Sequence, residues 1–128
     1  MTARVVRLGT SRAKGEGVRI GTVRRPPRGV PKSEFASGNW YDVWYPNLAP
    51  SAGLVRQALS AGDVRAWAAF VRKYRAEMAG ADASRTLDLL AALSVSADFS
   101  VGCYCEDEAR CHRSVLRDLL AERGAKIV

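Results

Sequence analysis

Every cysteine of this 128-residue chain, and its only histidine, falls within residues 102–113: Cys103, Cys105, Cys111 and His112, with Arg110 and Arg113 beside them. An odd number of cysteines in one short segment suits reduced thiols, a metal or redox chemistry better than a disulfide framework. Three chemistries are open. Free amides at a helix entrance, together with Arg110, His112 and Arg113, suit a phosphate, sulfate or carboxylate, provided that Glu106, Asp107 and Glu108 point outward. A thiol beside those cations could have a lowered pKa, which makes Cys105 at a strand end and Cys111 in the helix field candidate nucleophiles or redox thiols, with His112 a third candidate for chemistry. Cys-x-Cys, five residues, then Cys-His also offers Cys103, Cys105, Cys111 and His112 to zinc. The spacing is not that of a zinc finger or ribbon, so the leading reading carries no cofactor and zinc is the alternative. His112 could equally satisfy a core carbonyl. The formal Cys-x5-Arg spacing from Cys111 to Arg117 is a poor phosphatase loop, because six positions along a helix turn the side chains about 240° apart.

Such a site needs a strand to deliver Cys105 and a helix opening at His112. Residues 99–105 read as a buried strand, with Gly102 allowing close approach of another backbone or a ligand. Residues 112–122 read as a helix with Val115, Leu116, Leu119 and Leu120 inward, stopped by Gly124, and residues 125–128 as a last short strand. Upstream, residues 4–8 and 18–24 read as strands around a Gly/Ser/Lys loop, the second with an apolar face of Val18 and Ile20 and with Arg24 where that face ends. Three prolines and Gly29 make 26–31 a stiff basic loop. Ser51 caps a short helix through Leu54, Val55 and Ala58 to Leu59, ending near Gly62. Asp63 caps the clearest helix, where Trp67, Phe70, Val71, Tyr74 and Met78 form one buried stripe and Gly80 is the stop. Asp82 or Ser84 caps a further helix carrying Leu87, Leu89, Leu90 and Leu93. Strands separated by helices predict a single α/β domain over 1–128, with a partly parallel sheet flanked by helices.

The net charge of +7 is concentrated: residues 1–32 hold nine Lys/Arg against Glu16 alone, and the remainder is nearly balanced. A basic quarter of this kind attracts phosphate, nucleic acid or an acidic partner. Trp40, Tyr41, Trp44 and Tyr45 near those residues could stack on bases, so a nucleic-acid or protein-partner module is the second functional reading, although rings in a long connection more often cover core. No apolar run approaches a membrane span and the N-terminus lacks a signal-peptide core, so a cytoplasmic protein without a membrane is expected.

Pro27-Arg28-Gly29-Val30, Trp44 with Leu48-Ala49-Pro50-Ser51, Trp67-Ala68-Ala69-Phe70 through Tyr74-Arg75-Ala76-Glu77, and Cys105-Glu106 through Cys111-His112-Arg113-Ser114 stand in an order and spacing that resemble the YeaO-like proteins of the group called domain of unknown function 488 (DUF488). The resemblance implies a small bacterial or archaeal intracellular α/β domain with no established reaction, so it carries over no catalytic residue. The Asp-Arg-Leu-Trp character usual before Pro-Arg-Gly is Val23-Arg24-Arg25-Pro26 here, with Arg24 alone matching. YeaO-like members often lack cysteines near the His112 position, which implies that His112 and the arginines are the common element.

The expected site therefore joins Arg24, Arg28, Trp44, Arg110, His112 and Arg113 around a small anionic ligand that is bound, or bound and transformed, with Cys105, Cys111 and His112 as candidates for chemistry. Whether the chain is an enzyme is left open by the residues.

Overall fold

The structure is a computed structural model and describes residues 1–59 and 62–128. Four strands, β1 (Ala3–Arg7), β2 (Val18–Gly21), β3 (Val43–Trp44) and β4 (Phe99–Cys103), form a sheet of order β1-β4-β2-β3 in which every pairing is parallel. Four α-helices accompany it: α1 (Ala52–Leu59), α2 (Val64–Met78), α3 (Ala81–Leu93) and α4 (His112–Glu122). The fold is thus α/β, and its sheet is parallel throughout the described strands. β4 lies between β1 and β2, and all five of its residues are buried, as a central parallel strand requires.

The register places Arg7 opposite Cys103 and Gly21 opposite Gly102, so the carboxyl ends of three strands converge where ligands of open α/β sheets bind. Gly102 lets the strands close: a Cβ there would stand 2.6 Å from Leu8 Cδ2 and 2.9 Å from the Val6 carbonyl oxygen. It is a backbone, not a ligand, that approaches this glycine.

Most of the helical pattern follows the hydrophobic period. The Asp63 side chain accepts from the Ala66 amide at 2.7 Å and opens α2, whose Phe70, Tyr74 and Met78 are buried. They pack with Leu87 and Leu90 of α3, Val115, Leu116, Leu119 and Leu120 of α4, and Phe99 and Val101 of β4. Each such side chain contributes roughly 1.5–3 kcal/mol. A second, smaller cluster of Leu8, Val23, Tyr41, Cys103 and Cys111 lies at the strand ends.

Several boundaries differ from the sequence reading. α2 ends just before Gly80, with Ala79 as its C-cap, but Gly80, at φ −59°, is also the N-cap of α3, so α3 starts at Ala81 and neither Asp82 nor Ser84 caps it. Leu89 and Leu93 are 58% and 40% exposed, because Leu87, Leu90 and Ala91 complete the inward stripe. The expected stop of α1 near Gly62 crosses residues 60–61 and lies outside the described residues. β4 ends at Cys103, two residues early, and residues 125–128 contribute a single bridge, Ile127 to Ala3, in place of a strand.

The largest correction concerns β2, which stops at Gly21. Its more deeply buried face is not Val18, which is 48% exposed, but Arg19, Gly21 and the following Val23. Arg19 turns inward because Glu16 meets it there: Nε donates to Glu16 Oε2 at 2.7 Å and Nη2 to Oε1 at 3.0 Å, while Nη1 donates to the Thr10 and Asn39 carbonyls at 2.8 and 2.7 Å. Ser100 Oγ and the Ala13 amide donate to the same carboxylate at 2.7 and 3.0 Å. This pair ties the loop between β1 and β2, and the Asn39 turn, to the sheet.

Candidate functional site

Beyond β4 the chain passes Tyr104 and Cys105, makes a short 3-10 turn over Glu108–Arg110, and enters α4 through Cys111, whose extended backbone precedes the first helical residue, His112. The Asp107 side chain starts the 3-10 turn by accepting from the Ala109 amide at 3.0 Å. Glu108 is paired with Arg117 at 2.7 Å, and Glu106 is 84% exposed. Glu106 also pairs with Arg7 at 3.6 Å, so each of the three acids is engaged by a guanidinium or by the turn that it caps. The Glu108 pair also takes Arg117 away from Cys111.

This loop folds the three thiols together. Cys103 Sγ and Cys105 Sγ are 3.7 Å apart, and the ligating atoms of Cys103, Cys111 and His112 all lie within 4.8 Å of one another. Cys103 and Cys111 are buried and Cys105 is half-buried. Hydrogen bonds from Cys103 and Cys111, then the charges of His112 and Arg113, hold the Cys105 thiol far below its ordinary range against the cost of burial. The contact with Cys105 pushes Cys103 up to about 11, and contacts with Cys103 and Cys105, with burial, push Cys111 well above the usual range.

His112 is buried, and burial pushes its pKa down to about 4 against a hydrogen bond to Thr22. Its Nε2 lies 2.7 Å from the Thr22 carbonyl oxygen and 3.3 Å from Thr22 Oγ1, whose own proton goes to the Gly102 carbonyl at 2.9 Å. Both neighbours of Nε2 are acceptors, so Nε2 carries the proton and the lone pair is on Nδ1, which faces Cys111 Sγ at 3.9 Å. Tyr74 meets the ring edge-on at a centroid distance of 5.5 Å. Arg113, 4% exposed, donates through Nη2 to the Cys105 and Glu106 carbonyls at 2.7 and 3.4 Å. Its Nε has no partner, and it forms no ion pair with a carboxylate among the described residues.

A cavity of about 880 Å³ opens above these groups. Cys103, Cys105 and His112 border it, as do Arg7, Arg24, Arg25, Arg28 and Arg56, and among the described residues no acidic side chain does. Arg24 commits two of its nitrogens to the chain: Nε bonds the Pro50 carbonyl at 3.0 Å and Nη2 those of Pro46 and Ala49 at 3.2 and 3.1 Å, which ties the strand end to the segment preceding α1. Arg25 and Arg28 are exposed and form no ion pair among the described residues. Trp40 and Tyr104 form part of the wall as an edge-to-face pair, and the Tyr104 hydroxyl donates to the Arg25 carbonyl at 2.8 Å.

Of the residues expected at the site, Arg24, Arg28, Cys105 and His112 thus meet on one cavity. Arg113 and Cys111 lie behind it, buried. Arg110 is exposed on the loop outside the lining, and Trp44 lies on a separate shallow depression with its Nε1 donating to the Val23 carbonyl at 2.8 Å. The four aromatics expected to act together are dispersed: Tyr41 is buried, Tyr45 bonds Thr86, and only Trp40 reaches the cavity. Sequence reasoning missed Arg7, Arg25, Arg56 and Tyr104 in the lining and Thr22 behind His112, and it named Trp40 only for the nucleic-acid reading. The strand-end positions of Arg7 and Thr22 were the available signal, since β1 and β2 both end at the edge where β4 delivers Cys103.

Among the described residues no helix is long and apolar enough to cross a membrane. A family model described as the active DUF488-N3 subclade matches residues 3–124 of the chain. No curated protein and no solved structure matches it.

Proposed function

The chain belongs to the DUF488 family, and from that premise we propose that it binds a small anionic molecule in the cavity at the carboxyl edge of the sheet. The observation that carries this reading is the lining: five arginines and, among the described residues, no carboxylate around one cavity. Arg25 and Arg28 form no ion pair among the described residues, and an anion beside them relieves the repulsion of gathered like charges while gaining charge-assisted hydrogen bonds. Leu8, Val23, Trp40 and Val55 add apolar wall, and the volume exceeds what a lone phosphate or sulfate needs. The ligand class is therefore an anionic group attached to an apolar or aromatic body. Arg28 and Arg25 are the recognising cations, whereas Arg24 positions the wall through its carbonyl bonds. The word "active" in the description of the matching subclade supports a site in use, and it names no reaction.

Trp40 in the wall supplies the measurement. Titrating the full chain at low salt with pyrophosphate and with adenosine monophosphate should change tryptophan fluorescence saturably, more tightly for the nucleotide. Arg28→Ala should weaken both by about tenfold, the loss of one charge-assisted contact. Absence of saturation with either probe, or an unchanged affinity in Arg28→Ala, would sink the reading. Binding confined to single-stranded oligonucleotides, with a steep salt dependence, would replace it with the nucleic-acid alternative.

A further inference from the structure

We propose that Cys103, Cys105, Cys111 and Nδ1 of His112 hold one zinc(II) ion in a closed tetrahedral site at the cavity floor. The inference stands apart from the anion reading, because its donors are sulfur and imidazole and the anion's partners are the arginines.

Three observations converge. The first is spacing. A tetrahedral ion with bonds of about 2.3 Å to sulfur and about 2.0 Å to nitrogen sets sulfurs about 3.8 Å apart and sulfur and nitrogen about 3.5 Å apart. Cys103 and Cys105 stand at 3.7 Å, Cys111 Sγ and His112 Nδ1 at 3.9 Å, and the Cys103, Cys111 and His112 donors already crowd within 4.8 Å. The widest of these separations exceeds the ligand shell by about 1 Å, and Cys105 joins the group through its 3.7 Å contact with Cys103, so side-chain shifts of that size would close four donors on one ion.

The second is the tautomer. A metal-ligating histidine gives its remote N–H to a carbonyl or carboxylate, which orients the ring and leaves the other nitrogen bare. His112 does this with the Thr22 carbonyl at 2.7 Å, and the bare nitrogen is the one on the sulfur side.

The third is charge. Arg113 is a buried cation without a carboxylate partner among the described residues, and a buried charge needs an opposite one nearby. Zinc with three thiolates and a neutral imidazole carries a net charge of about −1, which Arg113 neutralises. Its Nη2 bonds to the Cys105 and Glu106 carbonyls hold the backbone that brings Cys105 in as fourth ligand. Binding converts each thiol still protonated to a thiolate and releases its proton to solvent. Three sulfurs and one nitrogen favour zinc over magnesium or calcium, which take oxygen ligands.

The test uses the full chain without a histidine tag, stripped with chelator under reducing conditions and titrated with cobalt(II). Expected are saturation at about one equivalent, the intense visible bands of a tetrahedral site, a sulfur-to-cobalt charge-transfer band, and displacement of all of these by zinc. Cys105→Ser changes a half-exposed position and so spares the fold, which circular dichroism verifies. Its charge-transfer intensity should fall to about two-thirds, one of the three thiolates being lost. Zinc should also protect the thiols of the unaltered chain from a disulfide reagent. A folded chain with no tetrahedral cobalt spectrum, or with thiols that react equally with and without zinc, overturns the proposal. Arg28→Ala should keep the cobalt spectrum while losing pyrophosphate affinity, so the two readings fail separately.

Discussion

Two buried polar clusters sit on the same sheet and differ in one respect. In the Glu16–Arg19 cluster the charges cancel and the acceptors are filled: the carboxylate receives Arg19, Ser100 Oγ and the Ala13 amide, and the guanidinium also reaches the Thr10 and Asn39 carbonyls. At the other end of the strands, the cluster of His112, Arg113 and three thiols gives Nδ1 only a thiol at 3.9 Å and leaves, among the described residues, an unpartnered Arg113 Nε and a buried cation in no ion pair. A satisfied cluster holds a fold in one arrangement, whereas an unsatisfied one is complete only when something else arrives. The first cluster is architecture by this test, and the second is the candidate site.

The comparison breaks most easily at the satisfied end. Replacing Arg19 with Met strands the Glu16 carboxylate in the interior, and loss of one member of a buried pair costs about 3–5 kcal/mol. Arg19→Met is thus expected to show the largest fall in stability in urea denaturation. The pH dependence carries the same information. Burial alone would raise the Glu16 pKa, but hydrogen bonds from Arg19, Ser100 and the Ala13 amide, with the charge of Arg19, outweigh it and bring the carboxyl from 4.5 to about 2. Because the folded pKa lies below the unfolded one, this contribution is full above pH 4.5 and is lost as pH falls through about 2. A shift of that size corresponds to ~3 kcal/mol. Denaturation midpoints measured between pH 6 and pH 2 should decline across that window in the unaltered chain, and the Glu16→Gln chain should lack that part of the decline.

The two clusters were not equally legible in the sequence. The second announced itself, because cysteine and histidine have few neutral uses and stood together between a strand pattern and a helix pattern; the α4 boundaries and its inward leucines followed from a 3.6-residue period. Glu16–Arg19 did not. Strand alternation assigned Arg19 to the solvent side because Val18 and Ile20 looked apolar, and nothing local reveals that a glutamate three residues earlier turns inward to meet it. The cavity was half visible for a related reason. Arg24 and Arg28 flanked a recognisable proline-rich loop, but Arg7, Trp40 and Arg56 reach the same space only through the β1-β4-β2 strand order, a long-range property that no window of sequence contains. Trp44 was expected beside the site and lies elsewhere because the two-residue β3 holds it at the sheet edge, where it bonds the Val23 carbonyl.

A smaller effect sharpens the contrast from the unsatisfied end. Arg113→Met removes two hydrogen bonds to loop carbonyls and a buried charge that forms no direct ion pair among the described residues, so its cost to the metal-free chain should be about 1–3 kcal/mol, below that of Arg19→Met. The informative quantity is the difference between conditions. If Arg113 balances a zinc-thiolate centre, the melting-temperature rise produced by zinc should be smaller in Arg113→Met than in the unaltered chain. An equal rise in both would mean that the cation serves only the loop.

The smallest effect on stability should come from the cavity rim. Arg25 is exposed, forms no ion pair among the described residues, and contributes to the wall through a backbone carbonyl that any residue supplies to Tyr104. Arg25→Ala should therefore leave the denaturation midpoint within ~0.5 kcal/mol of the parent. Its effect belongs to binding: pyrophosphate affinity should fall several-fold, and more at low salt than at high, because an exposed cation acts through a field that salt screens. A variant that loses stability and keeps affinity would place Arg25 with Arg19 among the groups that hold the fold. One that keeps stability and loses affinity puts it where the comparison predicts, among charges whose partner comes from outside the chain.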